Sequence, residues 1–154
     1  MNEWPRECDV PDFYGDMGEN QVMVALPYPL RLSWKPAQVV RRMSLHKLCA
    51  ESAQAAMEQI WYVYGQDVYR LGLDIWGGSL NVRQKRNGTS WSMHSWGIAI
   101  DWNPGQNMLK WGKDRAQLAQ PEYVPFWEAW EEQGWVSLGR ERNYDWMHVQ
   151  AARF

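Results

Sequence analysis

Two stretches of this 154-residue chain hold side chains that can bind an ion and move a proton. The first, Ser92-Met93-His94-Ser95-Trp96-Gly97-Ile98-Ala99-Ile100-Asp101, sets an imidazole and a carboxylate on a segment that is otherwise small and apolar. Imidazole nitrogen and carboxylate oxygen together suit zinc, which in hydrolytic sites takes three protein ligands and leaves its fourth position to water. A third ligand must come from elsewhere, and with three histidines in the chain the candidates are His46 and His148. His148 stands in Tyr144-Asp145-Trp146-Met147-His148-Val149-Gln150, where the Asp145 carboxylate precedes it by three positions. A stretch of that kind supplies the other half of a metallohydrolase site.

The pattern Ser92-x-His94-x-x-Gly97-x-Ala99-x-Asp101, followed near the C-terminus by Asp145-x-x-His148, resembles the zinc D,D-peptidase family. That family includes D-Ala-D-Ala carboxypeptidases, vancomycin-resistance dipeptidases and phage L-alanyl-D-glutamate endopeptidases. Five identities at fixed spacing and a second motif in the right order are more specific than one short motif. The resemblance spans roughly residues 75 to 150. It implies that His94, Asp101 and His148 hold one zinc ion per chain and that Asp145 is the general base, taking a proton from the attacking water and giving it to the leaving amine. The family also carries an arginine upstream of the first motif that clamps substrate and oxyanion, and by position Arg83 matches it, with Arg86 as second choice. Many members have glutamate where this chain has Asp145; the shorter aspartate is similar to the phage endopeptidases. Hedgehog signalling domains resemble the same fold and zinc site yet act as binding modules, so a non-enzymatic wall-binding or protein-binding role is the reading of a different class.

Composition bounds the alternatives. A chain of this length makes one domain of ordinary size, residues 1 to 154, with one core. Net charge is -2, without the basic field that nucleic-acid binding needs. Hydrophobic residues are 45% and charged residues 22%, a globular balance. No apolar run approaches the ~18 residues of a membrane span. Met1-Asn2-Glu3-Trp4-Pro5-Arg6-Glu7-Cys8 has no cationic start before an apolar run, so no secretory leader is expected and the chain is expected in the cytoplasm as made. Cys8 and Cys49 are read as free thiols in that compartment. Of the 12 tryptophans most are expected in core and rim, while Trp76, Trp91 and Trp96 are the rings a wall-binding surface would use.

The elements that must carry the site read as follows. Residues 1 to 35 are punctuated by Pro5, Pro11, Gly15, Gly18, Pro27 and Pro29, which predicts an irregular arm with one short strand at Gln21 to Leu26. Val39, Met43, His46, Ala50, Ala53, Met57, Ile60 and Tyr64 fall at steps of four and three, predicting a helix from about Ser44 to Tyr64, its start uncertain by a turn or more. His46 lies in that stripe and reads as a hydrogen-bonded packing residue. Gln66 to Thr89 reads as strands and tight turns. Ser92 to Trp102 reads as a strand, but seven positions is an odd offset, so His94 and Asp101 share a face only if the chain turns or bulges at Ser95-Trp96-Gly97. Ser92 is a candidate hydrogen-bonding support for a ligand or a nearby loop. Pro121 to Gln133 is the second helix, Trp135 to Leu138 a strand, Gly139 a turn, and Asp145 and His148 fall on the last strand.

The expected architecture is therefore α+β: one compact domain of a mainly antiparallel sheet packed with two principal helices, Hedgehog- and D,D-peptidase-like. The expected function is a zinc metallopeptidase acting on peptidoglycan stem peptides as a monomer. An L-alanyl-D-glutamate endopeptidase of the phage endolysin type, reaching the wall through a membrane lesion, is preferred to a D-Ala-D-Ala carboxypeptidase or dipeptidase. No nucleic acid or membrane partner is expected.

Overall fold

The computed structural model describes residues 3–86 and 88–154; Met1, Asn2 and Asn87 lie outside the described residues, the first two with part of the leader expectation. The architecture is α+β. Six strands form one sheet in the order β2-β1-β3-β4-β6-β5, with β1 Gln21–Leu32, β2 Lys35–His46, β3 Ile75–Gly78, β4 Ala99–Trp102, β5 Val136–Ser137 and β6 His148–Gln150. All neighbours are antiparallel except β1 and β3. Two longer helices pack on it, α2 Lys47–Tyr64 and α4 Val124–Glu132, and three short ones, α1 Val10–Tyr14, α3 Asp67–Arg70 and α5 Leu138–Arg142, fill the connections. No helix among the described residues is long and apolar enough to cross a membrane.

Residues 1 to 35 are not an irregular arm. A 12-residue strand runs straight through Pro27 and Pro29 and pairs with an equally long β2. The prolines are tolerated because residues 26–29 have no partner in either ladder: the β1–β2 register breaks between Ala25 and Leu30, and β3 joins only at Arg31 and Leu32. A residue without an N–H fits where no ladder bond is needed. Val24, Tyr28, Leu30 and Leu32 share a parity and all are buried, which fixes the face that β1 turns to the core.

The predicted helix begins three residues later than expected. Val39 and Met43 belong to β2 and His46 is the N-cap of α2, its Nδ1 accepting from the Leu48 N–H at 3.1 Å. Three residues spaced four and three apart cannot by themselves separate helix from strand; the buried alternation of Met43 and Leu45 belongs to a strand. From Lys47 onward the helical stripe holds, with Cys49, Ala50, Ala53, Ala56, Met57 and Ile60 buried. Small residues in that stripe let α2 lie close to β1 and α4.

The core is aromatic. Trp102, Trp127, Trp130 and Trp135 are fully buried, and rings of Trp102, Phe126, Trp130 and Trp135 meet at centroid distances of 5.1 to 6.1 Å, the spacing of edge and offset aromatic contacts. Their polar handles are partly accounted for: Trp127 donates to Leu118 O at 2.8 Å and Trp135 to Ser52 Oγ at 2.8 Å. Trp96 is also buried, donating to Gly15 O at 2.9 Å, so it cannot join Trp76 and Trp91 in an exposed stacking surface. Cys8 is exposed and Cys49 buried, and neither is bridged; burial pushes the Cys49 thiol up to about 12.

Candidate metal centre

The sheet brings the two motifs together by register. In the antiparallel pair of β4 and β6, Asp101 stands directly opposite His148, so their side chains leave the same face as nearest cross-strand neighbours. Strand alternation sends Trp102 the other way, into the aromatic core. The face that carries Asp101 and the tryptophan core are thus opposite sides of one four-residue strand.

His94 arrives from a different kind of backbone. The expected strand from Ser92 is instead a 3₁₀ turn, Met93–Trp96, ended by Gly97 in the left-handed region at φ 70°. That turn removes the odd-offset conflict, and only glycine suits its end: besides the positive φ, a Cβ on Gly97 would collide with the Gln21 side chain. Ser92 caps the turn, its Oγ accepting from the His94 N–H at 3.2 Å. The last strand starts at His148, not at Asp145. Asp145 lies in the preceding turn at φ 52°, with its carbonyl accepting from the His148 N–H at 3.1 Å. Where a turn at Gly139 was expected there is the short helix α5, and the ring of Trp146 lies where a Cβ on Gly139 would be.

His94, Asp101 and His148 each offer a ligand atom within 4.8 Å of the others. His94 Nε2 is 3.2 Å from Asp101 Oδ2, and His148 Nδ1 is 3.4 Å from Asp101 Oδ1. Both rings are set to present lone pairs. His94 Nδ1 lies 2.8 Å from the Ser79 carbonyl oxygen, which can only accept, so Nδ1 carries the proton and Nε2 is free to ligate. His148 Nε2 lies 2.8 Å from Gln150 Oε1, which leaves Nδ1 for the ion. His94 Nε2, Asp101 Oδ1 and Asp145 Oδ1 are all buried without a hydrogen-bond partner. Unpaired buried polar atoms are costly, and those of His94 and Asp101, in a group whose ligand atoms lie within 4.8 Å of one another, are ones that a cation would satisfy. Two imidazoles and a carboxylate are a donor set that zinc accepts.

The electrostatics follow from burial and proximity. Burial would raise the Asp101 carboxyl, but His94 and His148 outweigh it and hold Asp101 well below the usual carboxylate range. Without an ion, burial would lower His148, yet its bond to Asp101 and the charges of Asp101 and Asp145 raise it to about 9, so a metal would have to displace the proton on Nδ1. Asp145 is shifted upward, chiefly by burial, with His148 opposing and Asp101 adding to the shift.

A cavity of about 600 Å³ opens over the cluster, lined among others by Arg83, Arg86, Arg142, Tyr144, Asp145 and Phe154. It reaches beyond residues 75 to 150, to Glu7 and Phe154. Arg83 is pinned through its main chain: its N–H donates to Ser95 Oγ at 3.1 Å, and its carbonyl accepts from Ser95 Oγ at 3.0 Å and from the Ser92 N–H at 2.9 Å. Arg86 is exposed, and its charge acts on Asp145. Ser95, Ser79, Gln150 and Glu7 escaped the sequence reading. Gln150 alone had a signal, since position i+2 on a strand shares the face of His148.

His46 is not brought to this cluster. It is buried, its Nε2 donating to Tyr14 O at 2.7 Å. His46→Gln is expected to leave zinc content and peptidase activity unchanged while lowering stability by ~0.5 to 3 kcal/mol. Metal analysis and a melting curve on one preparation check this; a variant that loses its zinc would overturn it.

A family model described as D-alanyl-D-alanine carboxypeptidase matches residues 85–151. No curated protein and no solved structure matches the chain. The matched segment holds His94, Asp101, Asp145 and His148, so this part of the chain is similar to D-alanyl-D-alanine carboxypeptidases, and the match supports a peptidase with a His-Asp-His group that could bind a metal.

Proposed function

We propose that this protein is a zinc-dependent hydrolase of peptidoglycan stem peptides, a single domain with one ion on His94, Asp101 and His148, and that it cuts the L-alanyl-D-glutamate bond. The observation that supports the zinc site is a cluster of available lone pairs: two histidines whose outer nitrogens are occupied by acceptors, and inner atoms of His94 and Asp101 buried without partners. Zinc, when bound, supplies a Lewis acid and an activated water at neutral pH. The chain's own groups do the rest. Asp145 takes up the water's proton on its unpartnered Oδ1 and returns it to the leaving amine as the C–N bond breaks. Arg83 holds the negative charge of the substrate and of the developing oxyanion, Arg86 adding positive field from the rim, and Ser92 keeps His94 in place through its main chain.

The bond assignment rests on Asp145 being aspartate, as in the phage endopeptidases that the sequence resembles. The description of the matching family model favours a second reading, removal of a terminal D-alanine. Digestion of purified peptidoglycan by the zinc-loaded protein, followed by mass spectrometry, separates the two. New N-terminal D-glutamate is expected. Released D-alanine without new glutamate termini would assign the carboxypeptidase activity, and intact wall would favour a binding module.

A further inference from the structure

The side chain that orients His148 is itself held by a residue from the other end of the chain. Gln150 Nε2 donates to Glu7 Oε2 at 2.7 Å and to the Ala152 carbonyl at 3.0 Å. Both partners can only accept, so that end of the amide must be the NH₂ group, and the oxygen is left facing His148 Nε2. If the amide turned over, an NH₂ would face the His148 ring and favour the tautomer protonated on Nδ1, the atom needed for the ion. Glu7 is not placed there loosely. Its backbone N–H donates to Arg153 O at 2.7 Å, and its second carboxylate oxygen accepts Lys85 Nζ at 2.8 Å.

We propose that Glu7 is a positioning residue of the metal centre: it fixes the Gln150 amide so that His148 keeps its Nδ1 lone pair directed at the site shared with His94 and Asp101. The inference rests on the metal centre proposed above. Outer partners of ligating histidines typically contribute 10- to 100-fold in metal affinity. Ala152 O retains part of the hold on Gln150, so the loss on removing Glu7 is expected at the lower end, roughly tenfold. Lys85 belongs to the segment that also carries Arg83 and Arg86, so the Glu7 carboxylate ties the cationic rim of the cavity to a metal ligand.

Zinc affinity measured by chelator competition on the full chain tests this with the parent, Glu7→Met and Glu7→Gln. Methionine keeps length and removes the acceptor, while glutamine keeps one. Glu7→Met is expected to bind zinc about tenfold more weakly, with faster solvent exchange of the His148 Nε2 proton in the NMR spectrum of the zinc-loaded protein. Glu7→Gln is expected to restore most of both. In a Gln150→Ala background Glu7→Met should have no further effect on affinity, because the amide it acts through is gone. A parent that binds no zinc would sink the metal centre itself. A parent that binds zinc, with Glu7→Met equal to it in affinity and exchange, would overturn the role of Glu7 alone. So would a Glu7→Met effect that persists in full without Gln150, or a Glu7→Gln variant as weak as Glu7→Met.

Discussion

Asp145→Asn is expected to retain zinc and fold while losing ~10² to 10⁴-fold in peptidoglycan hydrolysis, the usual contribution of a positioned general base. His148→Ala, three residues on, is expected to lose the ion. The two side chains are neighbours, with Asp145 Oδ2 at 3.9 Å from His148 Nδ1, but their surroundings differ. His148 has its outer nitrogen occupied by Gln150 and its inner one turned to Asp101, the arrangement of a ligand. Asp145 stands outside the His94-Asp101-His148 group and carries a buried oxygen without a partner, which leaves it available for the proton. Asparagine is the better replacement because Asp145 sits at φ 52°. Asn tolerates the left-handed region, whereas alanine there adds a backbone penalty of ~1 to 2 kcal/mol that would confuse the reading. Zinc content, melting temperature and fragment release on both variants decide the roles. An Asp145→Asn protein that digests wall at the parent rate would end the assignment.

Arg83→Ala should reduce kcat/KM by ~10² to 10³-fold, the ~2.7 to 4 kcal/mol that an oxyanion-binding donor contributes, and should barely change stability. Among the described residues the guanidinium makes one exposed bond, Nη1 to Gln84 O at 3.2 Å, so little folding energy is lost with it. Its main chain, by contrast, is fastened by Ser92 and Ser95 next to His94, and a preorganised donor is worth more than a mobile one. Arg86→Ala is expected to cost less, since that side chain lies at the exposed rim. Steady-state kinetics on a defined stem peptide check the order. A larger loss at Arg86 than at Arg83 would move the clamp to Arg86.

Much of the frame could be read from residue order. The stripe from Ala50 to Tyr64 and the aromatic face of Phe126, Trp127 and Trp130 gave both longer helices, because side-chain direction along a helix is fixed by a local period. The need for a turn between His94 and Asp101 also followed from strand parity alone. The β1–β2 hairpin did not, because Pro27 and Pro29 are forbidden only where a ladder bond is required, and whether one is required depends on the neighbours.

The sequence by itself determined the donor types, their order and the glycine that lets His94 turn back toward Asp101, since these depend on backbone sterics and chemistry within ten residues. It left His46 and His148 both open as the third ligand on residue type alone. The resemblance pointed to His148, and the tertiary structure sets His148 opposite Asp101 and buries His46 against Tyr14. The structure also decided which nitrogen of each imidazole faces inward, through Ser79, Gln150 and Glu7. Strand partners are selected by burial of the whole apolar face, and hydrogen-bond partners by what that burial brings within 3 Å. Neither is encoded in any local spacing, which is why a carboxylate 143 positions from Gln150 can stand behind the amide that faces His148 with no trace in the motif.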